Sequence, residues 1–264
     1  MPELPEVETV RRSLAEHVAG RRIEAVYFFS PLAAGKKPGP VTRALTGRRI
    51  LRLERKGKYL VFPLDQGWMT VHLRMTGKLL IDGPKTKWTR VEFAFDDGHA
   101  LMFEDPRQFG RVVWSREYPA DVAALGPDAL GLDAAEFLAR LAGRRGALKP
   151  LLLNQRIVCG IGNIYADEAL HRAGIHPLSL AVKVSRARLL RLHEAVQEVL
   201  AEAVELGGSS ISDYVDAEGR RGWFQTKHRV YGRTGEPCLA CGTPIRRITV
   251  GQRGTHFCPR CQHR

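Results

Sequence analysis

Apolar residues recur at helical spacing near the start of the chain, with charged residues on the other faces. One predicted helical face carries Val7, Val10, Leu14 and Val18. This pattern predicts an amphipathic helix over residues 3–18, which Gly20 closes.

Between residues 22 and 114 the pattern changes to short runs of β-type residues. These runs are RIEAVYFF, RRILRLERKGKYLVFPL, MTVHLRM, RVEFAF, HALMF and GRVVW. The residues Asp96, Asp97 and Gly98 separate two of the runs and predict a tight hairpin turn. We therefore expect a β-sandwich, with the first helix packed on it or beside it.

After residues 125–133 the spacing becomes helical again. Asp133 is placed as an N-cap, and a long helix is predicted from Ser185 to Leu206, with Ser185 as its cap and Gly207 at its end. Its apolar stripe consists of Leu189, Leu192, Val196, Val199, Ala203 and Leu206. The second part of the chain is thus predicted to be helical, and a polar, glycine-containing stretch joins it to a cysteine-rich tail.

The charge balance narrows the class of partner. The 264 residues include 41 Lys and Arg against 28 Asp and Glu, a net charge of +13. An excess of this size is typical of proteins that bind nucleic acid, although a merely basic soluble protein or one that touches anionic membrane shares it. No apolar run reaches the roughly 18 residues of a membrane span, and the N-terminus lacks a signal-peptide core. We expect a cytoplasmic protein that binds polyanions and no membrane.

Four of the five cysteines lie in the last 27 residues, as two C-x-x-C pairs. Two such pairs predict one structural, tetrahedral zinc ion held by Cys238, Cys241, Cys258 and Cys261. Redox dithiols or disulfides are the alternatives, and a cytosolic location disfavours them. A closed four-thiolate site is not catalytic, so the zinc positions the arginine-bearing hairpin between the pairs. Cys159 stands alone among apolar residues and is predicted to be a packed core thiol.

Two further stretches have both a chemical and a structural explanation. Gly160, Gly162 and Asn163 precede a predicted helix, where backbone N–H groups could bind a phosphate or the glycines could serve the turn alone. At the N-terminus, removal of Met1 would leave Pro2 as a free secondary amine beside Glu3. The local sequence alone favours a simple Pro-Glu helix start.

The chain resembles the bacterial formamidopyrimidine-DNA glycosylase family from its first residue to its last. The matching motifs occur in the family's order: MPELPEVET, RKGKYL, HLRMTG, EDPRQFGR, GIGNIYADE, VYGRTGEPC and GQRGTHFCPRC. Endonuclease VIII is a related family that shares the Pro-Glu start and the zinc finger but differs in the opening and middle motifs.

The resemblance implies roles for four catalytic residues. Pro2 would attack C1′ of the damaged deoxynucleotide, and Glu3 would protonate the opening deoxyribose. Lys58 would be the catalytic lysine near the lesion, although a solvated strand lysine fits its neighbours equally well. Arg253 would be the zinc-finger arginine that grips phosphates and is linked to the elimination step.

The resemblance also implies a set of DNA contacts. Met75, Arg107 and Phe109 would fill the space that a flipped nucleotide leaves, although patterning alone suggests a core Met, a surface Arg and a core Phe. Residues 211–223 would form a mobile loop over the flipped base. The remaining expected DNA contacts are His72, Arg90, Arg144, Lys149 and Asn163.

The implied fold is an α+β multidomain protein. Residues 1–130 would form a catalytic β-sandwich with a flanking helix, residues 131–225 a helix-two-turns-helix domain, and residues 226–264 a zinc-finger β-hairpin. The resemblance also implies an activity for the protein: as a monomer it would excise oxidised purines from double-stranded DNA and cleave the strand by AP-lyase β,δ-elimination. Excision of oxidised pyrimidines and non-enzymatic zinc-finger DNA binding are the alternatives.

Two positions depart from the family pattern. Gln108 stands where the family usually has the second of two arginines, and Trp88 lies where histidines commonly touch DNA.

Overall fold

A computed structural model describes residues 1–211 and 214–264. The chain forms two compact units. Unit 1 comprises Met1–Ala124 and Leu206–Trp223, and unit 2 comprises Leu125–Glu205 and Phe224–Arg264. The mixed architecture of sheets, helices and a C-terminal hairpin confirms the predicted fold class. The division into three domains stays a prediction.

Unit 1 consists of a first helix, two β-sheets and two further short helices. The helices are α1 (Leu4–Val18), α2 (Pro38–Leu45) and α3 (Ala120–Ala123). The strands are β1 (Ile23–Phe28), β2 (Glu54–Lys56), β3 (Tyr59–Pro63), β4 (Trp68–His72), β5 (Lys78–Ile81), β6 (Thr89–Phe95), β7 (Ala100–Glu104) and β8 (Arg111–Ser115).

The strands form two four-stranded antiparallel sheets, in the orders β1-β6-β7-β5 and β2-β3-β4-β8. The apolar stripe of α1 joins their core, since Val10, Leu14 and Val18 are fully buried. Burying each such side chain contributes about 1.5–3 kcal/mol, so the stripe fixes the helix against the sheets. This arrangement confirms the helix predicted at 3–18, the β-type runs and the hairpin at residues 96–98.

The pattern did not predict α2. This eight-residue helix contains two prolines and buries only Leu45, so it leaves no apolar stripe in the sequence.

Unit 2 is built from helices and one hairpin. Its elements are α4 (Ala134–Leu141), α5 (Leu148–Leu153), α6 (Asn163–Arg172), α7 (Arg186–Glu205), β9 (Arg246–Val250) and β10 (Arg253–Phe257). Asp133 caps α4 by accepting the N–H groups of Ala135 and Glu136, as predicted. Short 3-10 turns lie at Pro31–Ala34, Ala181–Lys183 and Phe224–Lys227.

Strands β9 and β10 pair in antiparallel register between the two cysteine pairs. Cys159 is fully buried, as expected for a core thiol. Within the described part of the chain, no helix is both long and apolar enough to cross a membrane.

Candidate functional site

The N-terminal end of α1 brings Pro2 and Glu3 to a buried position. Glu3 is the N-cap residue and is 3% exposed, and Pro2 directly before it is also buried. Oε2 of Glu6 accepts the backbone N–H of Glu3 at 2.7 Å, which satisfies a donor that the helix itself cannot. The proline and carboxylate are thus held at the positive end of a helix, where an anion is favoured.

The segment after α7 returns to this helix end. Oε1 of Glu6 accepts the backbone N–H of Ser209 at 2.7 Å, and the hydroxyl of Tyr214 donates to the carbonyl of Glu6 at 3.1 Å. Burial and the nearby Glu6 charge raise the pKa of Tyr214, so its hydroxyl remains protonated as a donor. Of the loop expected at 211–223, Ser212 and Asp213 lie outside the described residues.

Lys58 lies in the two-residue turn between β2 and β3 and is 7% exposed. Gly57, the other turn residue, has a φ of 56°, a conformation that favours glycine. The lysine is therefore a buried turn residue, and the alternative of a solvated strand lysine is wrong. Its expected catalytic role stays a prediction.

The three expected wedge residues lie on two loops of unit 1 and project outward. Met75 is 38% exposed and Phe109 48%, so neither is a core residue. The guanidinium carbon of Arg107 lies 4.9 Å from the centroid of the Phe109 ring. Exposed apolar side chains of this size, next to an arginine, suit insertion between bases.

Asp105, which the sequence analysis missed, joins the two loops. Its buried carboxylate accepts the hydroxyl of Thr76, next to Met75, and the backbone N–H groups of Arg107 and Gly110. The Asp-Pro pair between two β-type runs was the available signal, because such pairs favour turns.

His72 is a buried residue on β4. Burial, with the charges of Arg74 and Lys58, lowers the pKa of His72 to about 3, so the ring is neutral. Its Nδ1 accepts the backbone N–H of Arg74 at 3.0 Å. The proton therefore resides on Nε2, and His72 can donate one hydrogen bond but carries no charge.

The two departures from the family pattern lie close to the Asp105 loop. Trp88 is 41% exposed, and its carbonyl accepts the N–H of Asp105. Arg90 donates to the carbonyl of Asp105 at 2.8 Å. Gln108 has a φ of 56°, and its Oε1 accepts the hydroxyl of Ser30 at 2.6 Å.

In unit 2 the structure corrects the expected phosphate contact of Lys149. This side chain is fully buried, and its ammonium lies 2.6 Å from Oδ1 of Asp167 and 2.7 Å from the hydroxyl of Thr255. It also donates to the carbonyl of Gly254 at 3.2 Å. The ammonium has three N–H donors and these three oxygens accept them, so no donor is left for a phosphate. The apolar neighbours in LKPLLL were the missed signal of burial.

Lys149 therefore anchors β10, and Asn163 does so as well. Its side-chain amide donates to the same Gly254 carbonyl at 3.0 Å. Arg253, the next residue back along the chain, is exposed at the start of β10. The N–H of Gly160 is not offered to an anion, because it donates to Oε1 of Gln155. Arg144 is exposed and donates to the carbonyl of Arg140.

The four tail cysteines converge as predicted. The Sγ atoms of Cys238, Cys241, Cys258 and Cys261 all lie within 4.8 Å of one another. Two of the separations are 3.4 Å and 3.9 Å, and tetrahedral zinc with Zn–S bonds of about 2.3 Å requires about 3.8 Å between sulfurs. The donor set thus fits one structural zinc ion.

The framework of the chain is thus a capped helix packed with two sheets, a helical unit and a four-thiolate hairpin. Three family models match most of the chain: the formamidopyrimidine-DNA glycosylase N-terminal domain over residues 1–112, its H2TH domain over 125–215, and a zinc finger found in FPG and IleRS over 235–264. The chain belongs to the formamidopyrimidine-DNA glycosylase family.

Individual relatives agree along the whole length. The formamidopyrimidine-DNA glycosylase of Solibacter usitatus is 53% identical, with 100% of each chain covered. That of Methylococcus capsulatus is 44% identical, over 99% of this chain and 100% of the relative.

Solved structures agree with the fold. The MutM (FPG) protein of Thermus thermophilus superposes with a TM-score of 0.89 at 44% identity, covering 99% and 98% of the two chains. The Fpg of Lactococcus lactis in complex with DNA containing an abasic site gives a TM-score of 0.90 at 37% identity, covering 99% and 100%.

Proposed function

We propose that this chain excises oxidised purines, chiefly 8-oxoguanine and formamidopyrimidines, from duplex DNA and then cleaves the strand. The observation that carries the proposal is the buried Pro2–Glu3 pair at the positive end of α1, held there by Glu6. A structure of the Lactococcus lactis relative contains a Fapy-dG lesion in its DNA, which supports the substrate class.

The chemistry begins once Met1 has been removed, and Met1 is 44% exposed. The α-amino group then has a reference pKa of about 7.7–8.0, so a useful share of it is a neutral nucleophile near pH 7.5. The nitrogen lone pair of Pro2 bonds to C1′ as the glycosidic bond breaks and the base leaves with its electrons. The carboxylate of Glu3 takes the proton that the Pro2 nitrogen must lose and gives it to O4′ as the C1′–O4′ bond breaks, while the departing base takes a proton from water. A cationic iminium then links Pro2 to C1′.

The iminium withdraws electrons and acidifies the C2′ protons. Loss of one proton breaks the C3′–O3′ bond, and a second elimination breaks the C5′–O5′ bond, each phosphate leaving with the electron pair. Lys58 and Arg253 are the groups that we assign to the lesion and to its flanking phosphates.

DNA binding divides between the two units in this proposal. Met75, Arg107 and Phe109 of unit 1 fill the vacated stack, with His72 and Arg90 contacting the strand. In unit 2, Arg253 and Arg144 meet phosphates, and Lys149 and Asn163 support the hairpin that carries Arg253. The protein acts as a monomer on the chromosome in the cytoplasm.

A lesion panel tests the substrate class. The mature chain is given duplexes with 8-oxoguanine opposite cytosine, thymine glycol opposite adenine, or no lesion, and released strands are separated on a denaturing gel. The proposal predicts cleavage of the first at least about 10-fold faster than of the second. Faster cleavage at thymine glycol would establish a pyrimidine glycosylase instead, and tight binding with no cleavage of either would establish a non-enzymatic DNA-binding protein.

A further inference from the structure

The position of Lys58 depends on a very short turn. Lys56 pairs with Tyr59 across β2 and β3, which leaves only Gly57 and Lys58 to connect the strands. Because Lys58 is also buried, its backbone must be placed accurately for the ammonium to meet a substrate.

One guanidinium contacts both this turn and the first helix. Nε of Arg55 donates to Oε2 of Glu8 on α1 at 3.0 Å, and an NH1 hydrogen of Arg55 goes to the carbonyl of Gly57 at 3.1 Å. The side chains of Arg55 and Glu8 are each 8% exposed. A guanidinium is planar and rigid, so the two bonds together fix the turn relative to α1.

The partner on α1, Glu8, is ionised at neutral pH. Burial alone would raise the pKa of Glu8, but hydrogen bonds from Arg11, Arg12 and Arg55 outweigh it and lower the pKa to about 2. Glu8 follows Glu3 by five residues on the same continuous helix, about 7.5 Å along its axis. A group tied to Glu8 is therefore tied to the end of α1 that carries Pro2.

Arg55 is not needed to neutralise the charge of Glu8. Arg11 already bonds both oxygens of Glu8, at 3.0 Å and 2.8 Å, and Arg12 adds a third bond at 2.8 Å. What Arg55 adds is the bond to Gly57, which neither of the other two arginines makes in the described contacts.

We infer that Arg55 and Glu8 are positioning residues that set Lys58 relative to Pro2 and Glu3. This inference rests on the catalytic role proposed for Lys58. The hydrogen bond between Arg55 and Glu8 joins the β2–β3 hairpin, which carries Lys58, to α1, which follows Pro2. The two bonded residues are 47 positions apart in the sequence.

Two matched variants isolate the link. Arg55→Met and Arg12→Met each remove one guanidinium from Glu8, but only the first also removes a hydrogen bond to the Gly57 carbonyl. Single-turnover excision of 8-oxoguanine should fall about 10- to 100-fold in Arg55→Met, as expected when a catalytic group is misplaced by about 1 Å, and less than about 3-fold in Arg12→Met. The Kd for the same duplex should change by less than about 3-fold in both.

A double-variant comparison separates positioning from a general structural effect. If Arg55 acts through Lys58, the pair Arg55→Met/Lys58→Met is no slower than Lys58→Met alone. If the rate losses of the two single variants multiplied in the double variant, the inference would be overturned. Equal excision rates for Arg55→Met and Arg12→Met, or full activity of Lys58→Met, would also overturn it. Failure of the proposed function is distinct, because the wild type and Arg12→Met would then excise nothing.

The circular dichroism spectrum of Arg55→Met and its thermal midpoint test whether the variant is folded. If it is not, Arg55→Lys replaces it, since lysine keeps the charge beside Glu8 but lacks the fork that reaches Gly57. The expected loss is then about 3- to 10-fold, again absent in the Lys58→Met background. Wild-type rates in Arg55→Lys would overturn the inference.

Discussion

The ammonium of Lys149 lies 2.6 Å from Oδ1 of Asp167, and neither side chain has any exposed surface. Oδ2 of Asp167 also accepts the backbone N–H of His256 at 2.8 Å. This pair connects α5 and α6 to strand β10, so the position of the zinc hairpin within unit 2 depends on two buried charges.

Removing one charge of this pair should destabilise the protein strongly. Lys149→Met leaves the buried carboxylate of Asp167 without the ammonium that it pairs with, which costs about 3–5 kcal/mol. Chemical denaturation measures the loss, and Lys149→Met/Asp167→Asn should recover part of it. A free energy of unfolding within about 1 kcal/mol of the wild type would show that the pair is not what holds β10.

Asp105 should matter for excision from duplex DNA. Asp105→Asn replaces a carboxylate oxygen with an amide donor, so it cannot accept all three donors from the Met75 and Phe109 loops. We expect excision of 8-oxoguanine from duplex to fall about 10- to 100-fold, with little change in cleavage of a single-stranded abasic oligonucleotide. Asp82→Asn is the control, since Asp82 also accepts a backbone N–H but is exposed. Equal losses in both variants would contradict the assignment.

Acid should destabilise the fold partly through His72. Its pKa is lowered from 6.5 to about 3 on folding, so the unfolded chain binds the proton first. The stabilisation that the neutral ring gives to the folded state is therefore complete above pH 6.5 and is lost as the pH falls from 6.5 towards 3. At pH 5 the free energy of unfolding is lowered by roughly 2 kcal/mol through this group. The free energy of unfolding of His72→Gln should fall less than that of the wild type between pH 7.5 and 5. Parallel curves would show that His72 does not titrate as the structure requires.

Loss of the zinc ion should abolish tight DNA binding. Cys258→Ser removes one of four thiolates, and we expect less than one bound zinc per chain by mass spectrometry and a Kd for duplex at least about 10-fold weaker. Cys159→Ala is the matched control, because Cys159 is equally buried but lies outside the four-cysteine cluster. It should keep one zinc and the wild-type Kd. Retention of tight binding by zinc-free protein would exclude a role for the hairpin in DNA contact.

Local patterns predicted much of the fold. The spacing of Val7, Val10, Leu14 and Val18 was enough for α1, because one face of a helix must be buried. The cysteine spacing was enough for the zinc site, because each C-x-x-C pair offers two ligands from one turn.

The side-chain contacts within the site could not be predicted from such local patterns. Arg55 and Glu8 are 47 residues apart, and Asp105 and Thr76 are 29 apart. No periodicity links such residues, since only the tertiary fold brings them together. Lys149 was misread for a related reason: its charge is visible in the sequence, whereas its buried partner Asp167 is not.

The central claim is that Pro2 is the nucleophile, and borohydride trapping tests it most directly. Mature protein lacking Met1 is incubated with a duplex carrying 8-oxoguanine opposite cytosine in the presence of borohydride, which reduces the iminium to a permanent crosslink. Peptide mapping then locates the modified residue. The account predicts a crosslink at Pro2 that Pro2→Gly abolishes without loss of DNA binding. A crosslink at Lys58 or another amine, or excision without any crosslink, would contradict it.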